Sequence, residues 1–281
     1  MKAIEAVRSW DRVKQIRYAV ILGAMLLFLP PAAILPQLAG EANLCGKLCM
    51  RMFFLPGTNP SWLRTAENVA ADWAGVLLLL TILTVTFLFG RLWCGYLCPI
   101  GGTQEIVSTM VPEKVTIDWR KIPAPPFRYG YLGVYVLGAT LGAGSIACKF
   151  CNFRVIPFLA GAPFVPAYRA YLLTGLGLGG LAVIVLTGFM AWGGRAYCNY
   201  LCPVGAVDAL VNRLGAGFRI AKRMRVTESR CTGCGTCERV CPMAAAKVVD
   251  GISTLHAMSC LQCRTCEINC PTQAIAWRRK Q

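Results

Sequence analysis

The sequence predicts a mainly α membrane protein: four transmembrane helices arranged as two repeated hairpins, followed by a small, cysteine-rich α+β domain. Three observations predict it. Of 281 residues, 56% are hydrophobic and only 15% charged, with a mean hydropathy of +0.53, whereas a soluble domain carries about 25% charged residues. A cysteine-proline motif recurs once along the chain, in register with the hydrophobic stretches. Sixteen cysteines stand beside a single histidine, His256. One histidine cannot supply both axial ligands of a bis-histidine haem, and no C-x-x-C-H is present for covalent haem attachment. Serine–histidine hydrolysis and histidine-rich zinc catalysis are poorly supported for the same reason. The chemistry is carried by sulfur.

Four stretches are apolar enough to cross a hydrocarbon layer, which takes roughly 20 residues each. They run from Tyr18 to Leu38, Trp73 to Gly90, Tyr129 to Ala147 and Tyr171 to Gly193. Trp73 and Trp93 suit an interfacial aromatic belt around the second. Pro30, Pro31 and Pro36 should kink the first or end it early, because proline lacks the helical donor. Gly175, Gly177, Gly179 and Gly180 give the fourth a small-residue face suited to close helix packing. Twenty-three of the 29 basic residues fall in the N-terminal segment, the central loop and the tail, and six in the other two loops. Both termini therefore face the cytoplasm. The net charge of +16 follows from this topology, and nucleic-acid binding has no independent support. The first span exceeds a signal-peptide core and no A-x-A site follows it, so it reads as an uncleaved anchor.

The membrane domain, residues 1–215, repeats itself. Arg91-Leu-Trp-Cys94-Gly-Tyr-Leu-Cys98-Pro99 matches Arg195-Ala-Tyr-Cys198-Asn-Tyr-Leu-Cys202-Pro203. On the opposite side, Cys45-Gly-Lys-Leu-Cys49 is echoed by Cys148-Lys-Phe-Cys151. Two like-oriented hairpins are related by an axis along the membrane normal. That axis would gather Cys94, Cys98, Cys198 and Cys202 at the cytoplasmic surface, and Cys45, Cys49, Cys148 and Cys151 at the outer one.

The tail, residues 216–281, contains Cys231-x2-Cys234-x2-Cys237-x3-Cys241-Pro242 and then Cys260-x2-Cys263-x2-Cys266-x3-Cys270-Pro271. This is the two-cluster ferredoxin run: three thiolates of a tight loop grip one iron–sulfur cube, and the fourth reaches the other. One [4Fe–4S] cluster should use Cys231, Cys234, Cys237 and Cys270, and a second Cys260, Cys263, Cys266 and Cys241. Gly233 and Gly235 permit close backbone approach, so that N–H groups can bond the sulfurs. Two four-cysteine zinc sites are the alternative, which the x2-x2-x3-Pro pattern disfavours.

Spacing of four places both thiols of each C-x3-C-P motif on one helical face, and the proline then ends or diverts the helix. The four thiols Cys94, Cys98, Cys198 and Cys202 could hold a third cluster, act as redox dithiols, or pack the tail. Arg91 and Arg195 either offset a cluster's negative charge or anchor the interface. For Cys45, Cys49, Cys148 and Cys151 a fourth cluster, disulfides and free thiols all stay open; Lys47, Arg51, Lys149 and Arg154 fit a negative cluster or lipid headgroups. His256, between the two cysteine runs, reads as a solvent-facing or hydrogen-bonded residue in a strand rather than a ligand. Glu41, Glu67 and Asp72 read as solvated loop carboxylates. Arg219, Lys222, Arg223 and Arg225 join the two domains and are placed along anionic headgroups.

The ordered combination of four spans, two cytoplasmic C-x3-C-P motifs and a two-cluster tail resembles the NapH/MauN-type ferredoxin-like membrane proteins, over essentially the whole chain. The resemblance implies a quinol dehydrogenase component of the bacterial cytoplasmic (inner) membrane. Such a component passes electrons to a reductase or to partner iron–sulfur and cytochrome subunits. Related proteins are accessory electron donors for maturation or reactivation of periplasmic metalloenzymes, which is the alternative reading. The four outer cysteines depart from the nitrate-reductase branch of that pattern. The implied partners are membrane lipid, the quinone pool and other redox subunits. Clusters on one face and a reductase on the other would be separated by about 30 Å of hydrocarbon, a gap that a diffusing quinone or a cofactor at the outer cysteines would have to bridge.

Overall fold

A computed structural model describes residues 12–38, 73–140 and 150–280. The first part is helical: α1 (Arg12–Phe28), α2 (Ile34–Leu38), α3 (Trp73–Phe89), α4 (Pro99–Met110), α5 (Ala124–Thr140), α6 (Asn152–Gly161), α7 (Pro166–Leu172), α8 (Gly175–Ile184), α9 (Ala196–Tyr200) and α10 (Pro203–Ala216). The tail adds β1 (Lys222–Val226), α11 (Thr236–Val240), β2 (Ala246–Val249), β3 (Ile252–Leu255), α12 (Thr265–Ile268) and β4 (Ile275–Arg279).

The helices are shorter and more broken than four straight spans. Among the described residues no single helix is long and apolar enough to cross a membrane; α7 with the stretch Gly175–Phe189 passes only as a pair bent by 82°. Each break has a local cause. α1 stops at Phe28 ahead of Pro30 and Pro31, which cannot donate to the helical ladder. The expected fourth span divides between α7 and α8, where the Thr174 hydroxyl accepts from Gly177 N at 3.1 Å and starts a fresh helix. Beyond α8 the helix widens to a π turn at Val185–Phe189. The expected third span begins at Ala124 rather than Tyr129, and its end lies outside the described residues. A Cβ on Gly179 would stand 2.5 Å from the Phe150 ring, so this small-residue position is filled by packing.

Two antiparallel pairs frame the tail. β1 pairs with β4 from Lys222↔Arg279 to Val226↔Ile275, and β2 with β3 from Ala246↔Leu255 to Val249↔Ile252. Asp250 and Gly251, both at positive φ, form the two-residue turn of the second pair. Arg223, 3% exposed, donates to Thr86 O at 2.8 Å and Phe87 O at 2.9 Å, satisfying carbonyls at the end of α3. It is thus a structural clamp between tail and helices, not the headgroup contact expected of it.

Candidate metal centres

In the tail, Cys231, Cys234, Cys237 and Cys270 line one small cavity, and Cys241, Cys260, Cys263 and Cys266 line another. The fourth cysteine of each run therefore stands with the first three of the other. In the first run, Gly233 (φ 68°) brings the loop against the β2–β3 turn, where a Cβ would meet Gly251 O at 2.5 Å. The second run makes the same left-handed steps without glycine, at Gln262 (φ 57°) and Arg264 (φ 62°). Such a conformation is uncommon for ordinary side chains and must be held by neighbours. Gln262 Oε1 accepts from Met224 N at 2.7 Å, and Arg264 Nε donates to Glu267 at 2.6 Å. Backbone N–H groups point at the sulfurs: Ser253 N to Cys231 at 3.4 Å, Ala245 N to Cys241 at 3.2 Å, and Ala274 N to Cys270 at 3.3 Å.

The two cavities differ in exposure. Cys234 is exposed, and its thiol is lowered in pKa by its hydrogen bond with the Thr236 hydroxyl. Burial pushes the Cys260 thiol up to about 12 and raises Cys241 as well. Cys241 and Cys260 thus favour the thiolate only when positive charge, such as a metal, is supplied beside them.

Cys94, Cys98, Cys198 and Cys202 line a third cavity together with Arg91, Trp93 and Tyr197. The helix breaks ahead of each proline, as expected, but the two thiols of a motif do not share one helical face. Cys98 and Cys202 are not on one continuous helix with Cys94 and Cys198; each is an extended N-cap, with Pro99 or Pro203 opening the next helix. Cys94 sits in a π turn, Trp93–Leu97, and Cys198 in α9.

Arg91 and Arg195, both fully buried, cross between the repeats. Arg91 Nε donates to Asp208 at 2.9 Å and its Nη2 to Gly205 O at 3.1 Å. Arg195 Nε and Nη2 donate to Glu105 at 2.8 and 2.5 Å, and its Nη1 to Cys94 O at 2.8 Å. Arg17 grips the other side of Glu105 at 2.7 and 2.6 Å. Cys94 Sγ lies 3.2 Å from Asp208 Oδ2. Neither arginine is an interfacial anchor. Sequence reasoning missed Glu105 and Asp208, although each follows its C-x3-C-P motif by about two turns in a chain with only 13 acidic residues.

The tail docks directly on this centre. A Cβ on Gly95 would meet Leu261 O at 2.4 Å. Arg91 and Arg128 both donate to Met258 O, at 3.2 and 2.9 Å. Asn212 Nδ2 donates to Ala257 O. Cys94 packs in the tail's apolar core, Cys98 in that of the helices, and Trp93 touches both.

Of the cysteines expected at the outer surface, Cys45, Cys49 and Cys148 lie outside the described residues, as do Lys47, Arg51, Lys149, Glu41, Glu67 and Asp72. Cys151 is 1% exposed rather than superficial: its sulfur lies 3.1 Å from the Tyr197 hydroxyl, in the same core as Cys98 and Cys202. His256 is exposed, just past β3. Among the described residues no group of three or more His, Cys, Asp or Glu is placed to hold a single metal ion.

Comparison with known proteins agrees with this sulfur chemistry. A 4Fe-4S binding domain family matches residues 71–117 and 173–221, the two repeats, and a second 4Fe-4S binding domain family matches 224–247. An uncharacterized protein of Methanocaldococcus jannaschii is 26% identical over 64% of this chain and 62% of its own length. The methylamine utilization ferredoxin-type protein MauN of Methylobacillus flagellatus is 30% identical over 56% of this chain and 50% of its own. The ferredoxin-type protein NapH of Escherichia coli is 26% identical over 73% and 68%. The chain thus spans less than two thirds of the first two relatives. No solved structure matches. The chain thus carries 4Fe-4S binding domains and is similar to ferredoxin-type proteins of the NapH and MauN kind.

Proposed function

We propose that this protein is a membrane-bound electron-transfer subunit that takes electrons from quinol and passes them to partner redox subunits. The observation that carries the reading is one apolar core that holds Cys237, Cys260 and Cys94, a cysteine from each of three four-thiol cavities: one at the surface of the tail, one more buried, and one in the helical body. Thiols that line a cavity without converging on a point suit a polynuclear cluster better than zinc, whose 2.3 Å bonds draw four sulfurs to about 3.8 Å of one another. Iron–sulfur clusters supply one-electron steps. The chain's own residues do the rest. Cysteines fix the sulfur positions and N–H groups offset their charge; beside the third cavity Arg17, Arg91 and Arg195 face only the carboxylates of Glu105 and Asp208 among the described residues, which leaves one positive charge in excess. Trp93 and Leu261 exclude water from the seam between centres.

On this reading residues 1–215 form a four-span domain and 216–281 a ferredoxin-like domain. Both termini are cytoplasmic, and the site is the bacterial inner membrane. The clusters use Cys231, Cys234, Cys237 and Cys270; Cys260, Cys263, Cys266 and Cys241; and Cys94, Cys98, Cys198 and Cys202. Cys45, Cys49, Cys148 and Cys151 are the candidates for a fourth. Anaerobic titration of the purified protein with menaquinol should bleach its visible iron–sulfur absorption. No reduction, even with membranes supplying partners, would refute quinol oxidation. Iron and acid-labile sulfide of about 12 per chain would support three clusters, and about 8 the tail pair alone.

A further inference from the structure

A larger cavity lies at the seam between tail and helices and a second adjoins it within the helical part; neither is lined by a cysteine. The first, of about 590 Å³, has Arg120, Lys121, Arg213, Lys247 and His256 in its walls and no carboxylate. Arg120 is neutralised by Asp118, at 2.8 and 2.9 Å, and stacks 3.6 Å over the Trp192 ring. Lys121, Arg213 and Lys247 are exposed, and no acidic residue shares their cavity. Three like charges around one concavity create a field that favours an anion. The second cavity, of about 560 Å³, shares Ile122 with the first; Trp119, Phe127, Tyr131, Tyr200 and Leu201 make it almost wholly apolar. Both volumes fall within the range of small-molecule sites.

A nucleotide would answer the charges but leave the aromatic cavity unexplained. A neutral quinone would fill the aromatic cavity but leave the cations unanswered. An acidic headgroup carrying long apolar chains satisfies both. We propose that one anionic phospholipid binds here, its phosphate among Lys121, Arg213 and Lys247 and an acyl chain along Trp119 and Phe127. The proposal rests on the membrane reading above. Lys121 and Arg213 belong to the helical part and Lys247 to the tail, so the phosphate is a clamp across the seam. Met243 and Leu255, which line this cavity, also line the second thiol cavity of the tail. The lipid therefore holds the tail in register with the helical body beside an electron-transfer centre.

The test uses the full-length, iron-loaded protein, delipidated in detergent, with native mass spectrometry and thermal unfolding as readouts. Dioleoyl phosphatidylglycerol should bind once per chain and raise the unfolding temperature by several degrees; phosphatidylcholine with the same chains should not. Lys121→Gln/Arg213→Gln/Lys247→Gln should weaken phosphatidylglycerol binding at least tenfold with unchanged iron content. If that variant does not accumulate, Lys121→Gln alone should weaken it several-fold. Phe127→Ala should weaken the lipid as well. Equal binding of phosphatidylcholine, unaltered binding by the charge variants, or the same stabilisation by inorganic phosphate or ADP would overturn the lipid assignment. Sedimentation of the wild-type protein with carbonate-washed membranes is scored separately, so that failure of the membrane reading is distinguishable from failure of the lipid site.

Discussion

Replacing Glu105 with glutamine removes one negative charge and almost no volume. The carboxylate is held between Arg17 and Arg195, and the three side chains are 8%, 4% and 0% exposed respectively. Glutamine leaves both guanidiniums buried with a neutral oxygen between them. Breaking a buried ion pair from one side costs about 3–5 kcal/mol, against about 0–1 kcal/mol for an exposed pair. At about 2–4 °C per kcal/mol in a chain this long, Glu105→Gln should lower the unfolding temperature by roughly 6–20 °C. Asp118→Asn, which breaks the more exposed pair with Arg120, should shift it far less. The assay is circular dichroism during heating in detergent, with iron measured on the same samples. The pH dependence gives an independent arm. Burial opposes ionisation of Glu105, but Arg195 and Arg17 outweigh it and hold the carboxyl at about 2, below its ordinary value of 4.5. A depressed folded pKa means that the stabilisation is complete above about pH 5 and fades as pH falls toward 2. The gap between wild type and Glu105→Gln should narrow over that window. A variant within 2 °C of wild type at pH 7, or a gap that widens in acid, would refute the charge argument.

Three further outcomes follow from the geometry. Cys231→Ser and Cys260→Ser should each lower bound iron by about four atoms per chain, and loss of all iron from either would show that the sites do not form independently. Gly95→Ala should keep the tail's iron but slow electron exchange between tail and helical centre, because its new methyl group meets Leu261 O at 2.4 Å; stopped-flow reduction monitored by EPR reads this, and wild-type rates would argue against direct docking. Gly233→Ala adds a side chain at φ 68° and 2.5 Å from Gly251 O, and should deplete the exposed thiol site while leaving the buried one filled.

Cysteine spacing made the tail legible, because a short loop restricts which thiols can meet whatever surrounds it. The prolines at 30 and 31 likewise mark the end of α1 by local chemistry. What sequence could not convey depends on contacts between distant parts. Arg91 and Asp208 are 117 residues apart, and no local pattern announces their pairing. Thr174 looks like any residue of an apolar stretch, yet its hydroxyl restarts the helix there. Cys151 looked superficial because a straight span was assumed before it; in the fold it packs beside Tyr197. Gln262 and Arg264 were invisible as turn residues because glycine, the usual signal, is replaced by side chains with partners of their own: Met224 N from outside the loop for Gln262, and Glu267, three residues on, for Arg264.

The crossed arginines bear on how far a duplicated chain of this kind can be divided. Each half supplies a cation whose anion resides in the other half. A single half standing alone would leave Arg91 or Arg195 buried without its anion. Two copies of one half would not supply that anion in register, because Glu105 aligns with Ala209 and Asp208 with Gln104 in the repeat. The two halves are therefore no longer interchangeable. The pairing also defines a complementation experiment: the chain severed between the repeats and co-expressed as two pieces should reassemble, and either piece alone should not accumulate.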